Sequence, residues 1–295
     1  MDSKGNDRKS VCMLVSSMLI WGTIGVFRKY IPLSSAFLAF SRGMLGGLFL
    51  LTFVKLRRKR IIDGLPARTV LQLAVTGAAM GINWILLFEA YNHTTVAVAT
   101  LCYYMQPVIV MFLSPLIFRE KLTKKKVFCA TVAIIGMVLV SGVIGSEGGP
   151  VRNTKGILLG LGAAALYSAV VIMNKRIRGI GAYGKTTIQL FSAGAALIPY
   201  LILDGGFRCG GFSTGTAILL LVVGILHTGI AYLLYFGSMD GLKAQSVAIL
   251  SYIDPVAALL FSATFLREPL SVPGIAGAVM IIGSAIFSEI QGDTK

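Results

Sequence analysis

Two short motifs place a polar side chain directly before a proline, each near the middle of a long apolar run. They are Gln106-Pro107 and Asp254-Pro255. Proline has no N–H to donate, so each frees a backbone carbonyl one turn earlier to bind water, a solute or a neighbouring helix. A polar group in apolar surroundings is costly unless it has a partner. The motifs therefore predict a polar site built at two helix kinks; a bend that only shapes the helix is the alternative.

The two motifs are copies of one another. Residues 104–122 and 252–270 align without a gap, and seven of their nineteen positions are identical at a constant offset of 148. Such self-similarity over half the chain length predicts a duplicated structural unit. One chemically important position differs, because Gln106 corresponds to Asp254. We therefore expect the two sides of the site to be chemically different, with Asp254 as the member that could exchange a proton.

Other polar and aromatic side chains also lie within the apolar runs. Interfacial belts explain aromatic rings at the ends of membrane spans, but not in their middles. Rings in the middle suit apolar, aromatic or cationic solutes, although ordinary packing explains some of them. A buried His or Asn either faces the solute or bonds across helices. The predicted solute-binding residues are Trp21, Asn83, Trp84, Tyr104, Gln106, Tyr167, His227, Tyr232, Tyr252 and Asp254, with Pro107 and Pro255 as the kinks.

Two charged features leave alternatives open. Arg42 lies well inside an apolar run, where it could contact an anion or make an internal ion pair or hydrogen bond; the second interpretation is favoured. The pair Arg119-Glu120 recurs as Arg267-Glu268, and both follow the proline motifs. Such pairs could latch a gate at opposite membrane faces, or they could be exposed pairs of little energetic value.

The composition is that of a membrane protein. Of the 295 residues 56% are hydrophobic and only 13% are charged, whereas a soluble domain has about 25% charged residues. The net charge of +15 could indicate nucleic-acid binding, but the basic residues lie in short runs between apolar segments, which favours contact with anionic lipid headgroups. The four cysteines show no metal-binding spacing, so no metal or cofactor is expected.

A membrane helix needs about 20 mostly apolar residues, and ten segments of the chain qualify. Basic residues strongly favour one side of the alternating loops, 20 against 6 if the N-terminus is cytoplasmic. The positive-inside rule therefore predicts a multi-pass protein of the cytoplasmic membrane with both termini in the cytoplasm. The predicted spans are 11–27, 34–54, 69–88, 94–118, 127–144, 156–173, 186–203, 215–236, 244–266 and 272–289.

The halves, residues 1–148 and 149–295, would each contain five spans. Because five is odd, the second half must enter the membrane from the opposite side. The predicted fold is thus an all-α membrane protein of ten transmembrane helices, arranged as two inverted five-helix repeats around a central cavity. Many secondary transporters have this architecture, and their halves exchange conformations during alternating access.

The chain resembles the drug/metabolite transporter superfamily in its EamA-type, ten-helix branch. That resemblance implies a central cavity lined by helices 1, 3, 4, 6, 8 and 9, and secondary transport, often export, of amino acids, metabolites or drug-like molecules. The motifs that carry it are Trp21-Gly22, the segment 90–95, Gln106-Pro107, the segment 119–122, the segment 155–161, Asp254-Pro255 and the segment 267–270.

The expected function is secondary transport of a small organic solute, with export favoured and import or exchange as the alternative. A membrane enzyme acting on a lipid-linked substrate is less favoured, because the chain has no His-Glu-x-x-His pair, Asp-rich metal motif or Gly-rich phosphate loop. The expected partners are the solute and the lipid bilayer, with a role for protons left open. No nucleic acid is expected, and the oligomeric state is open.

Overall fold

The computed structural model describes residues 2–57, 65–94, 96–140, 154–203, 212–267 and 270–290. Within these residues the regular structure is entirely helical, as predicted. The helices are α1 (Asp2–Gly22), α2 (Ile24–Lys29), α3 (Ser35–Leu56), α4 (Ala67–His93), α5 (Val96–Tyr103), α6 (Gln106–Phe118), α7 (Lys124–Val140), α8 (Thr154–Arg176), α9 (Ala182–Leu203), α10 (Thr214–Gly224), a π-helical turn (Ile225–Ile230), α11 (Ala231–Ser238), α12 (Ala244–Leu250), α13 (Ile253–Phe265) and α14 (Val272–Ile290).

Eight helical segments of the described chain are long and apolar enough to cross a membrane. The apolar helix Val272–Ser288 is shorter, and α7 has 17 residues within the described part, since residues 141–144 of its predicted span lie outside it. The chain is therefore a multi-pass, all-helical membrane protein, and the count of ten crossings stays a prediction. The eight segments are Asp7–Lys29, Ser35–Leu56, Ala67–His93, Val98–Phe118, Thr154–Arg176, Ala182–Leu203, Thr214–Ser238 and Ala244–Phe265.

The outer surface of the bundle is strongly apolar. Leu116, Leu203 and Val272 are 80%, 87% and 81% exposed. Such exposure would be costly in water, but lipid tails solvate these side chains.

Both spans that contain a proline motif are interrupted rather than smoothly bent. A short turn separates α5 from α6, and another separates α12 from α13. Pro107 and Pro255 lie in the first turn of the second piece, where a missing N–H removes no helical hydrogen bond. The two breaks touch, because the Tyr252 hydroxyl donates to the backbone carbonyl of Tyr104 at 3.0 Å.

The duplicated segments share an unusual backbone feature. Arg119 and Arg267 have φ angles of 57° and 56°, and among the described non-glycine residues only these two have positive φ. The left-handed conformation is uncommon for residues with a Cβ atom. The two arginines are 148 positions apart, so both copies have a left-handed residue at the same position just after the helix, although α13 ends one residue earlier relative to it than α6 does.

Glycines let two helix pairs pack backbone against backbone. A Cβ atom on Gly77 of α4 would lie 2.3 Å from the carbonyl oxygen of Gln189 in α9, and one on Gly277 of α14 would lie 2.4 Å from that of Gly136 in α7. Close approach through small residues is typical of membrane helices. The segments predicted to end each half, α7 and α14, are therefore directly packed together.

Candidate functional site

A cavity of about 510 Å³ lies in the centre of the bundle, between α1, α2, α3, α4, α5, α6, α8, α11 and α13. Arg28, near the end of α2, and Tyr91, near the end of α4, line its rim, so it reaches one face of the bundle. Seven of the ten predicted solute-binding residues line this cavity. They are Trp21, Trp84, Tyr104, Gln106, Tyr167, Tyr232 and Asp254.

Aromatic rings form a continuous wall in the cavity. Trp21 meets Tyr232 edge-on at 4.8 Å between ring centroids and lies 5.1 Å from Tyr235. Tyr167 then stacks on Tyr235 at 6.4 Å and on Tyr103 at 5.9 Å. Such a surface offers large apolar area with polar hydroxyl edges, which suits planar or amphipathic organic molecules.

Asp254 places a carboxyl group in this wall, at the start of α13. The Tyr104 hydroxyl donates to its Oδ2 at 2.9 Å. Within the described residues no cationic side chain pairs with Asp254, and Oδ1 receives no hydrogen bond from a described residue. The group therefore has capacity for a proton or for a donor carried by a solute.

Gln106, the repeat partner of Asp254, is more enclosed. Its side chain is 4% exposed, and its backbone carbonyl accepts a hydrogen bond from Ser168 of α8 at 3.2 Å. The break between α5 and α6 is therefore anchored to α8. The two kink motifs contribute unequal chemistry to the cavity, an amide on one side and a carboxyl group on the other.

The remaining three predicted residues lie outside the lining of this cavity. Asn83 donates to the Ala163 carbonyl at 2.6 Å and so joins α4 to α8, and Nε2 of His227 lies 2.7 Å from the Thr23 hydroxyl. Tyr252 bridges the two helix breaks. All three are buried and hold helices together behind the cavity wall.

Arg42 departs from the expectation that its helix would stay outside the cavity. It lines the cavity together with Leu38 of the same helix, α3. The expected internal bond is also present, because Nε donates to the Thr228 hydroxyl at 3.1 Å. The expectation that this helix would stay outside the cavity, which came from the family resemblance, was wrong. The position of Arg42 is set by contacts between segments that are far apart in the sequence.

Sequence reasoning left several other lining residues out of the predicted set, among them Tyr235, Tyr91, Thr100 and Ser251. Tyr235 could have been found, because it lies three residues after Tyr232 and therefore on the same helix face. Tyr91 and Thr100 meet across the turn between α4 and α5, with their hydroxyl oxygens 3.4 Å apart. That contact has no periodic signature in the sequence.

At the opposite face of the bundle, Glu120, which follows α6, joins the ends of α6, α8 and α12. Its carboxylate accepts hydrogen bonds from the backbone N–H groups of Ala244 at 2.9 Å and Gln245 at 3.4 Å, at the start of α12. Lys175 of α8 approaches the same carboxylate at 3.8 Å and also donates to the Leu242 carbonyl. The Glu120 side chain is only 12% exposed, so the Lys175–Glu120 contact is not an exposed surface ion pair.

Family comparison identifies this architecture. The model of the EamA-like transporter family matches residues 8–142 and again residues 154–289. The chain belongs to the EamA-like transporter family. Several relatives of this EamA chain are named as transporters.

One relative, "Uncharacterized transporter YxxF" of Bacillus subtilis, is 30% identical over 97% of this EamA chain and 91% of its own length. A transporter from Archaeoglobus fulgidus is 28% identical over 93% of the chain and 94% of the relative. "Protein PecM" of Dickeya dadantii is 27% identical over 92% and 89%. A chain of known crystal structure superimposes with a TM-score of 0.83 at 19% identity, covering 95% of this chain and 98% of the other, which shows a common fold.

Proposed function

We propose that this chain is a secondary transporter that exports a small organic solute across the cytoplasmic membrane by alternating access. The observation that carries the proposal is the pairing of a 510 Å³ aromatic cavity, which reaches one face of the bundle, with the bonded closure at Glu120 on the other face. A solute site accessible from a single side is what one state of an alternating-access cycle requires.

The chemistry of the cavity indicates the kind of solute. The wall of Trp21, Tyr167, Tyr232 and Tyr235 favours a molecule with an apolar or aromatic body. Asp254 adds an acceptor that can bind a protonated amine or a proton. The proposed cargo is therefore an amphipathic metabolite or drug-like molecule rather than an inorganic ion or a lipid.

We also propose ten crossings in two inverted halves, with both termini in the cytoplasm. The matching left-handed residues Arg119 and Arg267, the two helix breaks and the double family match all support this arrangement. In that orientation the Glu120 closure lies at the cytoplasmic face, and the cavity faces outward. An exporter would release its solute from this state.

The decisive experiment is flux into and out of proteoliposomes for a panel of amphipathic metabolites, with and without a pH gradient. We expect at least one panel member to move faster than through protein-free vesicles, and we expect a pH gradient to bias the direction of its movement. Asp240→Asn serves as the matched control for Asp254→Asn, because Asp240 is a carboxyl group that is 65% exposed and is not among the residues that line the cavity.

Two results would contradict the proposal. The first is the absence of protein-dependent flux for every panel member when a known transporter gives flux in the same vesicles. The second is cysteine labelling that places residues 120–126 on the outer side of the membrane, since the closure would then face the wrong compartment.

A further inference from the structure

We infer that Arg42 binds the anionic group of the transported solute, and that this group is a carboxylate. The inference rests on the proposed transport function and adds a specificity residue to it. Arg42 is one of two arginines in the cavity lining, and the two differ in whether their donors are already used.

The guanidinium group of Arg42 is held in place but is not saturated. Its Cζ lies 4.7 Å from the centroid of the Trp84 ring, and its Nε donates to the Thr228 hydroxyl. Within the described residues no carboxylate pairs with it, and Nη1 and Nη2 donate to no described acceptor. A guanidinium group carries five N–H donors, so the two terminal nitrogens keep the planar fork that matches a carboxylate.

The π-helical turn provides the support for this arrangement. The Thr228 hydroxyl donates to the Val223 carbonyl at 3.0 Å, which directs an oxygen lone pair toward Arg42. The preceding residue, His227, accepts a hydrogen bond on its backbone carbonyl from the Trp21 indole N–H at 2.8 Å. Two consecutive residues of the turn therefore fix one cationic and one aromatic side chain of the cavity. π-helical insertions are frequently found at functional sites.

Close packing keeps α3 against this turn. A Cβ atom on Gly46, one helical turn beyond Arg42, would lie 2.8 Å from the Gly224 carbonyl oxygen. This packing holds the backbone of α3 close to the π-helical turn, so Arg42 stays within reach of Thr228. Pre-organised donors lose less entropy when a ligand binds, so they favour affinity and selectivity.

Arg28 provides an internal comparison. It also lines the cavity, but Nη1 donates to the Ile31 carbonyl at 2.6 Å and Nη2 donates to the Leu33 carbonyl at 3.1 Å. Its fork is already occupied by backbone acceptors. Arg42 is therefore the lining arginine that has free donors for a solute.

The chain offers a direct binding assay, because its two tryptophans, Trp21 and Trp84, both line the cavity. Quenching of tryptophan emission in purified, detergent-solubilised protein then reports occupation of this site. We would titrate two matched pairs, phenylpropanoate with phenylpropanamide and hexanoate with hexanamide. The members of a pair have nearly the same size and differ in the charge of one terminal group.

We expect wild-type protein to bind each acid about tenfold to a hundredfold more tightly than its amide, as for a charged hydrogen-bonded pair. Arg42→Gln should reduce this ratio to about one while the amide affinity changes less than about threefold. Arg42→Lys should keep part of the ratio, because charge remains but the fork is lost. Thr228→Val should lower the ratio by releasing Nε.

Arg57→Gln is the matched control, because Arg57 directly follows α3, the helix that carries Arg42. Its Cζ lies 5.3 Å from the centroid of the Phe53 ring, and it is not among the residues that line the cavity. It should leave the acid-to-amide ratio as in wild type. Circular dichroism and size-exclusion chromatography of each variant would show that it is folded.

Three results would overturn the inference: an Arg42→Gln variant that keeps the wild-type ratio, a wild type that binds amides as tightly as acids, or an equal loss in Arg57→Gln. If solute flux persists in proteoliposomes while any of these results holds, the proposed transport function stands and only the role of Arg42 fails. If flux is absent as well, both fail.

Discussion

Replacing Glu120 by Gln should open the closed face of the bundle. The substitution keeps the shape of the side chain but removes the charge that two backbone N–H groups and Lys175 share. Hydrogen bonds to a charged group contribute about 1.5–3 kcal/mol. Gln can still accept one of the two N–H bonds, so we expect a loss of roughly that size in the stability of the closed state. This corresponds to a change of about tenfold to 150-fold in the closed-to-open ratio.

Thiol labelling can measure that ratio. Ser114, next to the closure, is fully buried and accepts a hydrogen bond from the Gln245 side chain at 3.0 Å. A cysteine at this position, in a chain whose native cysteines are replaced, should react with a charged thiol reagent only when the face opens. We expect the labelling rate to rise about tenfold or more when Glu120→Gln is added to this background.

Asp240→Asn is the control for this experiment. The Lys185–Asp240 pair has the same N···O distance of 3.8 Å as the Lys175–Glu120 pair, but Asp240 is 65% exposed. Lys185 is only 3% exposed, but solvent around the exposed Asp240 carboxylate screens the pair, so we expect it to contribute less than about 1 kcal/mol and labelling to change less than about fivefold. Equal labelling rates in the Glu120→Gln and Asp240→Asn variants would refute the assignment of the closure to Glu120.

Three further predictions concern other parts of the molecule. Asp254→Asn should remove the effect of a pH gradient on proteoliposome flux, because Asn cannot exchange a proton; retained gradient dependence would exclude Asp254 as the proton carrier. Gly277→Val should lower the midpoint of thermal unfolding in detergent, since overpacking costs about 1–3 kcal/mol, whereas Gly283→Ala should have little effect because a Cβ there meets nothing within 4 Å. Tyr252→Phe should cost about 0.5–1.5 kcal/mol in the same measurement by separating the two helix breaks, and Tyr30→Phe, at a residue that is 61% exposed, is the control.

The fold class could be predicted from the sequence because lipid solvation imposes long apolar segments. The helices lie where apolar runs predicted them, and the polar–proline motifs mark the breaks before α6 and α13. The tenth predicted span, 272–289, matches α14 to one residue, whereas α7 begins at Lys124, three residues before its predicted start, because the helix includes lysines that lie outside the apolar run. Apolar content alone does not define where such helices end.

The site was only partly predictable, for a physical reason. Asn83 and His227 have the same signature as solute-binding residues, since a buried polar side chain needs a partner of some kind. In the structure their partners are the Ala163 carbonyl and the Thr23 hydroxyl. Arg42 depends on a π-helical turn 186 positions away, and no local pattern in the sequence indicates that insertion.

Tyr104 and Tyr252 occupy equivalent positions in the duplicated segments, yet their hydroxyl groups have different acceptors. Tyr252 donates to the backbone of Tyr104, whereas Tyr104 donates to the carboxyl group of Asp254. Two identical halves would give the inward-facing and outward-facing states equal energies by symmetry. In the proposed inverted arrangement, the amide of Gln106 and the carboxyl group of Asp254 are one of the differences that make these two energies unequal, so a proton on Asp254 would shift the balance between the two states.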